Sequence, residues 1–265
     1  SGGQLLASLV GVILLAFMSE QQLMDGGWRI PFVIGGIAAL LSLAARSRLE
    51  ETLSHEDAQR EESGSLVALL KQHWKTFLLV VGYTSAGSLT FYVVTVYSKT
   101  YLTNIGIDGK TVGFIMTTAL FVFMLAQPFF GMLSDRIGRR TSMLAFSLLS
   151  AIFIYPVMVT GMRSFADSPV IITLLLIFLM MLLSFYTSIS GLVKAEMFPP
   201  HIRALGVGFA YAVGNAIFGG SAEYVALGLK SMGMENSFYW YVTVMAAIAF
   251  LVSLMLHRKG KGLRL

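Results

Sequence analysis

Apolar stretches long enough to cross a lipid bilayer recur along this sequence with only short polar interruptions, and no other feature limits its fold as strongly. Crossing about 30 Å of hydrocarbon takes roughly 20 helical residues. Spans of that kind are predicted at about 3–19, 28–45, 75–98, 111–133, 141–160, 169–193, 204–229 and 238–257. Inside lipid a backbone must satisfy its own hydrogen bonds. The pattern therefore predicts an all-α polytopic membrane protein with about eight transmembrane helices. Composition points the same way, with 56% hydrophobic and 12% charged residues and a mean hydropathy of +0.75, whereas a soluble domain carries about 25% charged residues.

The charges decide orientation. The chain has 19 Lys and Arg against 14 Asp and Glu, a net charge of +5. Arg29, Lys99, Lys110, Arg163 and Lys230 fall on one side of the eight crossings. The rest of the 19, Lys194 and Arg203 among them, fall on the side shared with both ends of this chain. The positive-inside rule puts that side in the cytoplasm, so the basic balance reads as cytoplasmic loops and no nucleic-acid partner is expected. Three regions follow: 1–45 with two spans, a polar cytoplasmic segment over 46–73 with a short interfacial helix over 66–74, and 74–265 with six spans.

Several chemistries are excluded. There is no cysteine, hence no thiolate metal site and no Cys nucleophile. His55-Glu56 lacks the second histidine of a zinc-binding H-E-x-x-H helix, and no G-x-x-x-x-G-K-[ST] phosphate loop occurs, so no metal, cofactor or ATP site is expected. His55, His73, His201 and His257 lie in loops or at span ends. An intramembrane enzyme, which needs a nucleophile–base pair or paired acids deep in the spans, is therefore a remote alternative. No segment resembles a channel selectivity filter.

The most specific stretch is Gly131-Met132-Leu133-Ser134-Asp135-Arg136-Ile137-Gly138-Arg139-Arg140. Its glycines allow a tight reversal, and its arginines suit a helix C-terminus and an anionic leaflet. As charge alone it is a topological anchor. As a pattern, G-x-L-x-D-R-x-G-R-R resembles the signature loop of the major facilitator superfamily, found between helices 2–3 and 8–9. If this copy is the second, the first span is helix 5 and the family's first four helices, with most of its N-terminal half, lie outside this sequence. Glu196-Met197-Phe198-Pro199-Pro200-His201-Ile202-Arg203 resembles the E-x-F-P-x-x-x-R segment between helices 10 and 11, at the position that count requires. By resemblance, Gly131, Asp135, Arg136, Gly138, Arg139, Glu196 and Arg203 are candidates for a cytoplasmic gate of ion pairs.

Four further segments narrow the likeness. Residues 27–32 (Gly-Trp-Arg-Ile-Pro-Phe), 184–191 (Ser-Phe-Tyr-Thr-Ser-Ile-Ser-Gly), 215–224 (Asn-Ala-Ile-Phe-Gly-Gly-Ser-Ala-Glu-Tyr) and the tail 257–262 are similar to the metabolite:proton symporters, and within them to the branch that imports α-ketoglutarate. The resemblance implies proton-coupled uptake of α-ketoglutarate or a related carboxylate by alternating access in a bacterial inner membrane. Its sister substrates are citrate, shikimate and proline or betaine.

The residues themselves supply candidate site groups. Ser85, Ser88, Tyr92, Thr95 and Lys99 recur at intervals of three and four, which puts hydroxyls and a cation on one helix face. That face suits the wall of a water-filled cavity with Lys99 at its outer mouth; equally, the hydroxyls can bond back to their own helix and Lys99 can reach to the interface. Asn215 lies roughly 18 Å along the helix axis from Arg203, with Tyr211 one turn away. It bonds substrate or a neighbouring helix. Glu223, nearer the outer end, is either ionised at the interface or the carrier of a coupled proton. Gln127-Pro128 predicts a kinked gating helix. Lys99 is the only cation this reading puts near a cavity, and the main carboxylate-binding groups, and with them a proton carrier, are expected in the absent helices.

Overall fold

The computed structural model describes residues 2–46 and 65–256. Most of the expected polar segment over 46–73, with His55, and the basic tail from His257 onward lie outside the described residues. What is described is all-α. Helix α1 (Gly2–Phe17) and the short α2 (Glu20–Met24) lead through a tight turn at Gly27–Arg29 into α3 (Ile30–Arg46). After the gap come α4 (Leu66–Gln72) and α5 (Trp74–Tyr92), which continues through a π-helical turn, Val93–Tyr97, into α6 (Ser98–Asn104). Next are α7 (Gly109–Ile137) and α8 (Arg139–Tyr155), the latter extended by a second π turn, Pro156–Gly161, and the single turn α9 (Met162–Ser164). A broken pair, α10 (Pro169–Thr187) and α11 (Ser190–Glu196), precedes α12 (Pro200–Gly214), a third π turn Asn215–Gly219, α13 (Ala222–Ser231) and α14 (Glu235–Leu256).

Among the described residues seven helices are long and apolar enough to cross a membrane. The eighth expected crossing, 3–19, is the 16-residue apolar helix α1. A capping box stops it on schedule. Ser19 is extended and accepts from the Gln22 N–H, while the Gln22 side chain accepts from the Ser19 N–H, so a new helix starts at Glu20 with only Met18 and Ser19 between it and the old one. The expected span 75–98 runs on to Asn104 because the π turn absorbs an extra residue without ending the helix. The chain is a multi-pass membrane protein.

Helix α5 holds the centre. It packs against α12, α14 and α10, and most of its candidate span is buried. Tyr83 donates to Ser253 at 2.8 Å, tying α5 to α14 inside the apolar core. Around it, α7 pairs with α10 and α8 with both α10 and α14. Several core hydroxyls bond back four residues to their own helix, as at Ser147, Ser184 and Ser253, which makes them tolerable among apolar neighbours. Helix α1 is held by Gln4, which donates to Thr95 at 3.1 Å, and by a 2.6 Å hydroxyl contact between Ser8 and Thr117. By contrast α3 buries none of its residues and presents Phe32, Ile37, Leu40 and Leu43 outward. At the far end of the bundle, Tyr101 donates to the Met158 carbonyl and accepts from Arg163, which also pairs with Glu235.

Candidate functional site

Two cavities flank the α5–α6 helix. The first, of about 260 Å³, lies between α5, α10, α11 and α12 and is lined by Gly87, Ser88, Phe91, Tyr92, Tyr186, Thr187, Ser190, Lys194, Tyr211 and Asn215. The second, of about 270 Å³, lies between α1, the π turn of α5–α6 and α7; Gln4, Ser8, Thr95, Lys99 and Gly113 are among its walls.

The candidates Ser88, Tyr92, Tyr211 and Asn215 therefore share the first cavity, whereas Thr95 and Lys99 line the second. The single face read from the spacing of 85, 88, 92, 95 and 99 is corrected by the π turn at Val93–Tyr97. A π turn takes one residue more than an α turn, so residues beyond it are rotated by about 100° relative to an unbroken helix. Ser85 leaves the set for another reason: it is buried and donates to the Val81 carbonyl at 2.6 Å. Thr95 likewise donates to its own helix, at Phe91, while accepting from Gln4. Lys99 is exposed.

Lys194 is the largest departure from the sequence reading, which counted it among the cytoplasmic loop charges. It is 3% exposed and lines the first cavity. Its ammonium lies 5.0 Å from the centroid of the Tyr186 ring and 5.4 Å from that of Tyr211, within cation–π range of both. Among the described residues it forms no ion pair and no hydrogen bond. The expectation that Lys99 is the cation near a cavity thus gives way to two lysines in two cavities. Tyr186, Thr187 and Ser190 were also unassigned from the sequence. The available signal was the spacing Tyr186, Ser190, Lys194, polar groups at intervals of four running inward from a loop.

Close packing fixes the aromatic walls. A Cβ on Gly87 would fall 2.0 Å from the Tyr186 ring, so the ring reaches the cavity only across a glycine. Gly219 plays the same part for Tyr92: its missing Cβ leaves room for the Tyr92 ring and the Asn215 amide together. Gln127 of α7 donates to Ser184 at 3.1 Å and accepts from Thr187 at 2.8 Å, which fastens α10 just before its break at Ser188–Ile189.

At the other end of α11, Glu196 forms an ion pair with Arg139, the first residue of α8. Their side chains are 31% and 23% exposed. Gly138 stands between α7 and α8 at φ +90°, a backbone state that favours glycine and lets Arg139 follow the turn at once. Asp135 and Arg136 are exposed and form no ion pair among the described residues. Arg203 donates to the Phe198 carbonyl at 3.3 Å and does not pair with Glu196. Gly131 has open space where a Cβ would be, so no close helix approach requires it. Glu223, in the first turn of α13, accepts from Thr100 at 2.8 Å.

No group of three or more metal-ligating side chains occurs among the described residues. Helices of spanning length around a polar, cation-bearing cavity define a multi-pass membrane protein with a cavity inside its bundle. The chain belongs to the Major Facilitator Superfamily, whose profile matches residues 79–263. It is 55% identical over 265 residues to the alpha-ketoglutarate permease of Escherichia coli (strain K12), a match covering 100% of this chain and 61% of that protein. It is 28% identical over 258 residues to the citrate-proton symporter of Salmonella typhi, covering 94% of this chain and 58% of that protein. Similarity to the inner membrane metabolite transport protein YhjE of Escherichia coli (strain K12) is 26% over 263 residues, 93% of this chain and 57% of that protein. The chain spans about three-fifths of the length of the curated relatives it matches. No solved structure matches it.

Proposed function

We propose that the full-length protein containing this chain is a secondary active transporter that takes up α-ketoglutarate with protons. The observation that carries this reading is the end-to-end 55% identity to an alpha-ketoglutarate permease, twice that to the citrate-proton symporter. The cavity chemistry supports it. A dicarboxylate leaving water needs cationic and hydrogen-bonding partners, and the first cavity offers Lys194 with the polar groups of Ser88, Tyr92, Tyr211 and Asn215. Lys99 and Thr95, in the second cavity, serve as an outer approach.

In this reading the protein lies in the bacterial inner membrane with both ends of this chain in the cytoplasm, as the charge distribution favours. Regions 1–45 and 74–265 belong to the two halves of an alternating-access transporter joined by the polar segment 46–73. The Arg139–Glu196 pair closes the cytoplasmic end of this half, with Gly138 shaping the turn and Gly131, Asp135, Arg136 and Arg203 flanking it. Glu223 keeps its charge at the outer interface, where Thr100 holds it, or exchanges the coupled proton there.

Uptake by proteoliposomes of the full-length protein tests the reading. Labelled α-ketoglutarate accumulates under an inward proton gradient and stops when a protonophore is added. Accumulation of citrate or betaine in its place would overturn the substrate assignment.

A further inference from the structure

The first cavity contains one charged group. Its other walls are hydroxyls, an amide, tyrosine and phenylalanine rings and a glycine, none of them carrying formal charge. Tyr186 and Tyr211 attract the Lys194 ammonium through their ring faces, but a quadrupole does not neutralise it. A buried ammonium that forms neither an ion pair nor a hydrogen bond is an electrostatically incomplete arrangement. The groups around it are matched to what is missing. Ser88, Tyr92 and Asn215 line the same space, and none of their side chains is used in a hydrogen bond among the described residues. Together they offer donors for the oxygens of an anion held on Lys194.

We propose that Lys194 is the anion receptor of this cavity, binding one carboxylate of the transported substrate while its two tyrosines hold the ammonium in place. This rests on the transport reading above and assigns a specific residue to it. Two features of the fold agree with such a role. The lysine sits on α11, a seven-residue helix separated from α10 by the break at Ser188–Ile189. The same short helix ends in Glu196, two residues on, which holds Arg139. An anion arriving on Lys194 therefore acts on the element that carries the cytoplasmic ion pair.

The test measures binding to the purified full-length protein of α-ketoglutarate and of its two monocarboxylate analogues, each lacking one of the two carboxylates. The parent prefers the dicarboxylate to both. In Lys194→Gln at least one preference collapses by about tenfold or more, because the analogue without the Lys194-bound carboxylate has nothing there to lose. If both preferences survive in the variant, the inference is wrong while the transport reading stands. If the parent binds no α-ketoglutarate, the transport reading fails and the inference with it. A second measurement needs no variant, and it decides if Lys194→Gln does not fold. Lys194 is labelled with an amine-acylating reagent and quantified by peptide mass spectrometry. Bound α-ketoglutarate slows its labelling several-fold and betaine does not; labelling indifferent to α-ketoglutarate overturns the assignment.

Discussion

The two cavities beside α5–α6 are nearly equal in volume and each has one lysine in its wall, yet their lysines are in opposite situations. Lys99 is exposed, free to keep its hydration. Lys194 is 3% exposed, enclosed by two tyrosine rings without a counter-ion. The first arrangement is stable as it is; the second is completed by a ligand. A lysine in a membrane helix is thus informative about binding through what surrounds it, more than through its presence.

The strongest way to break the comparison is to damage the aromatic wall without touching the charge. Gly87→Val drives a side chain into the Tyr186 ring. It is expected to destabilise the protein by about 1–3 kcal/mol, the usual range for overpacking, and to abolish detectable α-ketoglutarate binding. Gly82→Ala, on the same helix with nothing within 4 Å of its Cβ, provides the control, with unchanged melting and binding. Normal binding by Gly87→Val would detach Tyr186 from the site.

A smaller effect is expected at the cytoplasmic ion pair. Arg139 and Glu196 are partly exposed, so the pair contributes on the order of 1 kcal/mol. Glu196→Gln then raises the cytoplasm-open fraction by up to about fivefold, and the swap Arg139→Glu with Glu196→Arg restores it. Thiol labelling of a single cysteine placed at Ser190, in the full-length protein with any cysteine outside this chain replaced, reads the change directly; this chain itself has none. An unaltered rate in Glu196→Gln would leave the pair as a helix anchor only.

The second cavity should respond least. Lys99→Gln is expected to change the KM for uptake by less than about twofold, since an exposed charge is screened by water and salt. Beside it, Asp108 caps α7, and its hydrogen bonds from the Thr111 hydroxyl and N–H hold its carboxyl below the usual carboxylate range. A depressed carboxylate stabilises above its unfolded-state pKa and loses that contribution as pH falls through the folded-state value. Protection against hydrogen exchange at 109–113, after division by the intrinsic exchange rate at each pH, should therefore fall at acid pH, and Asp108→Ala should remove that fall.

Much of this was legible in the sequence because lipid leaves few options. Helix number, the loop at 131–140 and the pairing region at 196 all follow from hydropathy and from two motifs. Ser88, Tyr92, Tyr211 and Asn215 could be found because polar groups at helical intervals stand out in an apolar span. What was not legible came from local departures from the α-helix. The π turn at Val93–Tyr97 divides one apparent face into two, and no residue in Val-Val-Thr-Val-Tyr announces it. The break at Ser188–Ile189 precedes a short helix that carries Lys194 into the bundle, although its nearness to Glu196-Met197-Phe198-Pro199 made it read as a loop charge.

The most direct test of the account is a side-by-side measurement of α-ketoglutarate affinity in Lys194→Met and Lys99→Met of the full-length protein. The account predicts a loss of about tenfold or more at position 194 and of less than about twofold at position 99. Equal losses, or a larger loss at Lys99, would contradict it.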